Sequence, residues 1–82
     1  MNKIIGYKQA LALMQEGYRV KECPQILGGR IPYLYNPEGV GHYRLREDTW
    51  RKLQLICRFV KRETFGKRSR DAIYIWELRK EE

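Results

Sequence analysis

Histidine, serine and cysteine are scarce in this 82-residue chain: His42, Ser69, Cys23 and Cys57 are all there is. These absences remove several chemistries. A structural zinc site needs about four closely spaced ligands, and nothing like a CxxC motif is present. Ser69 sits in a basic turn with no G-x-S-x-G elbow around it. His42 stands alone in an extended segment, where a lone histidine is a solvent-facing or structural residue more often than a general base. The carboxylates are single or beside basic neighbours, so no acid pair marks a catalytic centre. The expectation is a protein that is not an enzyme, with no cofactor, no metal and no catalytic residue.

Long apolar runs are absent too. Nothing approaches the roughly 20 consecutive apolar residues of a membrane span, and Met1 to Gly6 lacks a signal peptide's apolar core. The cysteines stand 34 positions apart in apolar settings. One disulfide stays open, but buried thiols of a reducing compartment are the plainer reading. A soluble cytoplasmic protein is expected, with no membrane partner. Eighty-two residues suffice for one domain, 1–82, and a core this thin leaves only about 3–5 kcal/mol of net stability.

Negative charge is the other shortage. Seventeen Lys and Arg face ten Asp and Glu, a net +7. The excess is uneven. Within 51–70, eight basic residues are opposed by Glu63 alone. Such a local field favours polyanions or acidic protein surfaces.

Periodicity predicts the elements. Tyr7, Ala10, Leu11 and Met14 fall at helical spacing and Gly17 is placed as a stop, giving a helix over 7–16. Residues 18–23 alternate as a strand up to Pro24. Strands over 30–35 and 40–45 flank a turn at Asn36-Pro37-Glu38-Gly39, and Pro32 argues for an edge or a bulge in the first of them. A second helix is predicted over 46–58, with acids in its first turn and Trp50, Leu53, Ile56, Cys57 and Val60 inward. Segments 59–65 and 72–78 pair as a hairpin, although 59–62 also fits a continued helix. The fold class is α+β: an antiparallel sheet of about four to five strands against two helices, in the order α-β-β-β-α-β-β.

Two sets of residues offer binding chemistry. Arg51, Lys52 and Arg58 on the second helix, with Lys61, Arg62, Lys67, Arg68 and Arg70 around the last hairpin, form a candidate phosphate-contacting surface. A solvated rim that keeps a small domain soluble is the competing explanation. Tyr33, Tyr35 and Tyr43 lie on the middle hairpin and would stack on bases if they share a face. Ordinary strand packing explains them equally well.

A helix followed by a basic two-stranded wing, as over 46–79, resembles a winged helix domain, which would imply DNA binding. The usual preceding helix is replaced here by a predicted hairpin. The opening from Tyr7 to Val20, a helix, then Gly17, then a strand, is similar to the start of many short phage and prophage proteins. That likeness covers 14 residues without a functional motif and implies a mobile-element accessory protein. The first expectation is thus a nucleic-acid-binding module. The alternatives are an interaction factor or inhibitor docking on an acidic host protein, and a small-ligand binder using the tyrosines. Pro32's edge and the thin core leave a homodimer open.

Overall fold

Alternating side chains govern the architecture, because successive strand residues face opposite sides of a sheet. The computed structural model describes residues 3–25, 28–64 and 72–79. Its elements are β1 (Lys3–Ile5), α1 (Tyr7–Gln15), β2 (Arg19–Pro24), β3 (Arg30–Tyr35), β4 (His42–Leu45), α2 (Glu47–Gln54), β5 (Cys57–Thr64) and β6 (Ala72–Leu78). The six strands form one mixed sheet in the order β1-β4-β3-β2-β6-β5. The α+β class and the two helices agree with the sequence reading, but the sheet is larger than expected and not purely antiparallel.

Three corrections have physical causes. β1 was not expected: it has three residues, pairs parallel with β4 and is too short to show a period. α2 ends at Gln54, so the predicted helix over 46–58 is too long. Leu55 and Ile56 turn, and Cys57 begins an eight-residue strand. The apolar residues from Trp50 to Val60 therefore follow two periods, which a single helical count had merged. Residues 59–62 are strand and do not continue the helix. Third, β3 is an interior strand. Pro32 is tolerated because the β3–β4 register stops at Tyr33↔Arg44, one residue before it.

Both helices cover one side of the sheet. Ala10 and Met14 of α1, and Trp50 and Leu53 of α2, share a buried cluster with Ile5, Val20, Leu34, Leu45 and Cys57. The registers Val20↔Leu34, Leu34↔Tyr43 and Val20↔Trp76 put those strand residues on the same face. Trp50 meets Trp76 edge-on at 5.6 Å. Tyr18 packs against Tyr43 at 6.4 Å, and this packing requires Gly41. That residue has φ 155°, and a Cβ there would lie 2.6 Å from the Tyr18 hydroxyl. Arg30 also belongs to this side. Its guanidinium lies 3.9 Å over the Tyr74 ring and donates to the backbone carbonyl of Ala72.

Cys23 and Cys57 are both free thiols. No helix among the described residues is long and apolar enough to cross a membrane.

Candidate nucleic-acid interface

The opposite side of the sheet bears no helix among the described elements. The residues alternating with Val20, Leu34 and Tyr43 emerge there, and the registers align them into two rows across the strands. One row runs Ile4, Arg44, Tyr33, Lys21, Ile75, Lys61 from β1 to β5. The next runs His42, Tyr35, Arg19 on β4, β3 and β2, then Glu77 and Arg58 on β6 and β5. Neighbouring strands lie about 4.8 Å apart, so Arg44 to Lys21 and Lys21 to Lys61 each span about 10 Å along the first row.

A bulge assembles part of this face. Strict alternation along β5 would group Arg58, Val60 and Arg62. The register shifts between Phe59 and Lys61 instead, and the extra residue brings Arg58 and Lys61 together on the open side. Arg62, opposite Tyr74, falls on the helix side.

Aromatic rings lie among the cations. Tyr33 stacks on His42, with centroids 4.9 Å apart and planes 23° from parallel. The Lys21 ammonium sits 5.4 Å from the Tyr35 ring centroid, a cation–π contact. Burial, with Lys21 adding to it, holds His42 below its ordinary value of 6.5, which favours the uncharged imidazole. Burial pushes the Tyr35 phenol up, with Arg19 opposing. Tyr33, Tyr35, His42 and Lys21 are all half-buried, so part of each remains open to solvent.

Arg19, Lys21, Arg44, Arg58 and Lys61 outnumber Glu63 and Glu77 on this face. Glu77 bridges Arg19, at 3.2 Å, and Arg58. Lys61 pairs with Glu63 at 2.9 Å. Lys21 and Arg44 have no carboxylate partner among the described residues. Ile75 is the buried apolar centre of the face, 3% exposed.

The expected basic patch is thus divided between two layers. Arg58 and Lys61 are on the open face, while Arg51 and Lys52 are on α2 in the opposite layer and Arg62 faces the helix side. Arg51 is bonded to Glu47 at 2.8 Å. Lys67, Arg68 and Arg70 lie outside the described residues. The three tyrosines also divide: Tyr33 and Tyr35 are on the open face, and Tyr43 packs on the core. His42 takes the place expected of Tyr43, a substitution foreshadowed by the alternation of His42 and Arg44 with Tyr43 and core-facing Leu45. The winged arrangement is not present. β4 precedes α2 directly, and the β5–β6 hairpin is one side of the large sheet. Among the described residues, no three His, Cys, Asp or Glu side chains come together as a metal site.

Comparison with protein-family models, curated proteins and solved structures finds no match to this chain.

Proposed function

We propose that this domain is a non-enzymatic nucleic-acid-binding module that takes a single strand across the open face of its sheet. The observation that carries this reading is the register-aligned row Arg44, Tyr33, Lys21, Ile75, Lys61, with the stacked Tyr33–His42 pair beside it. Cations about 10 Å apart meet phosphates, and the rings between them offer unpaired bases a stacking surface. An open sheet face suits a single strand because splayed bases can stack on its rings, whereas a duplex hides its base faces.

Three features support the assignment. Lys21 and Arg44 lack carboxylate partners among the described residues. His42 lies nearly parallel to Tyr33, so the two rings form one wider platform. The Lys61–Glu63 pair, exposed at both ends, is worth about 0–1 kcal/mol, little hindrance to exchange for a phosphate. An acidic host protein would meet the same cations, but it makes no use of the rings among them.

The test is fluorescence polarisation with labelled single-stranded DNA and RNA oligonucleotides. Affinity should fall steeply between about 50 and about 200 mM salt, and a matched duplex should bind more weakly. Absence of binding to either strand at the lower salt, or equal binding of duplex and single strand, would overturn the proposal. Retention of a protein from nuclease-treated lysate in place of oligonucleotide binding would point to the interaction-factor alternative.

A further inference from the structure

The sheet opens where β3 leaves β4. Their register ends at Tyr33↔Arg44, whereas β4 continues beside β1 as far as Leu45. Pro32, just past the divergence, has no N–H with which to extend the ladder. A cleft of about 580 Å³ fills the gap, walled by Ile4, Ile31, Pro32 and Leu45, with the polar and charged side chains of Gln25, Arg30, Arg44, Arg46 and Glu47 also lining it. Ile4, Ile31 and Arg44 alternate onto the open face, so the cleft adjoins Tyr33 at one end of the cationic row.

We infer that this cleft receives one nucleobase turned out of the bound strand, and that Glu47 reads it by accepting a hydrogen bond from an exocyclic amino group. The inference rests on the single-strand reading above and adds a position of base selectivity to it. Size agrees with a base, since small-ligand sites are cavities of about 300–1,000 Å³, and the lining combines an aliphatic wall with charged groups able to meet a base edge and its phosphates. A phosphate would leave the aliphatic walls unused and would face a carboxylate. A base uses both, since its ring packs between Ile4 and Ile31 while its edge meets Glu47. Arg44 and Arg46 then hold the phosphates on either side. Glu47 is available because its ion pair among the described residues, with Arg51 at 2.8 Å, is a solvent-exposed i,i+4 bridge, which constrains it weakly. Adenine, cytosine and guanine carry an exocyclic amino group; thymine and uracil do not.

The experiment uses the full chain and a short oligo-dT into which a single dC, dA or abasic nucleotide is placed at each position in turn. At one position dC or dA should bind about tenfold more tightly than dT, the scale of a hydrogen bond to a charged acceptor. An abasic nucleotide there should cost more than anywhere else. In Glu47→Ala the dC-to-dT ratio should fall to about one, and taking the ratio cancels the general affinity gained by removing a negative charge. Circular dichroism of the variant checks that it is folded. Equal binding of every oligonucleotide by the wild type, or a base preference that survives Glu47→Ala, overturns the cleft while leaving the sheet-face reading intact. Failure of all oligonucleotides to bind overturns both.

Discussion

The two faces of one sheet carry opposite chemistry from the same six strands. On the helix side Val20 and Leu34 are fully buried and Ile5, Leu45 and Cys57 nearly so. On the other, their immediate neighbours are Lys21, Tyr33, Arg44 and Arg58, and Ile75 is the one buried residue of the two rows. One peptide unit separates a core residue from a candidate ligand contact. The contrast shows that period-2 alternation can build a stabilising surface and a recognising surface at once, provided that the register aligns each set across the strands.

The contrast breaks most visibly in a neighbouring pair of substitutions. Leu34→Ala empties a fully buried position and should cost about 2–5 kcal/mol, comparable to the whole stability expected of a domain this size. Urea denaturation should show it largely unfolded. Tyr33→Ala, one residue away, should remain folded in the same assay yet lose affinity for a single strand by about 1–3 kcal/mol, the contribution of one stacked base. Third in size is the electrostatic term. Lys21→Ala combined with Arg44→Ala removes two phosphate contacts, so the slope of log affinity against log salt should shallow by about 1.4, measured by polarisation over a salt series.

A smaller effect belongs to the buried face alone. Burial pushes the Cys57 thiol from 9.0 up to about 11, with Arg79 opposing. A raised folded-state value means that the neutral thiol's stabilisation is complete below the unfolded value near 9. It is lost as pH rises through about 11. Chemical denaturation between pH 8 and 11 should therefore show stability falling less in Cys57→Ala than in the wild type. The smallest effect sharpens the assignment of faces. Arg51→Glu and Lys52→Glu lie on α2, in the other layer, and should change single-strand affinity less than charge reversal at Lys21 or Arg44.

Much of the fold was legible because the strands announce themselves locally. Ala72 to Leu78 and Arg30 to Tyr35 have the bounds that their β-branched and aromatic residues suggest. Leu34 between Tyr33 and Tyr35 already indicates which residues point away from the core. Alternation alone also separates His42 from Tyr43, a distinction obscured when tyrosines are grouped by residue type. Sequence did not disclose the pairing partners. That Arg44, Tyr33 and Lys21 form one row depends on the registers of β4, β3 and β2, which are tertiary facts. The bulge between Phe59 and Lys61 cannot be read from a run as uniform as Arg58-Phe59-Val60-Lys61-Arg62. The end of α2 was hidden for a related reason: Trp50 and Leu53 at helical spacing run directly into Cys57 of the next strand, with no proline or glycine between them.

The most direct measurement is an NMR titration of the protein with an unlabelled single-stranded oligonucleotide at low salt, following ring resonances of both faces together. The account predicts that Tyr33, Tyr35 and His42 shift progressively while the Trp50 indole, enclosed by the core, stays in place. Shifts centred on α2 with Tyr33 and His42 unmoved, or no shifts at all, would contradict it.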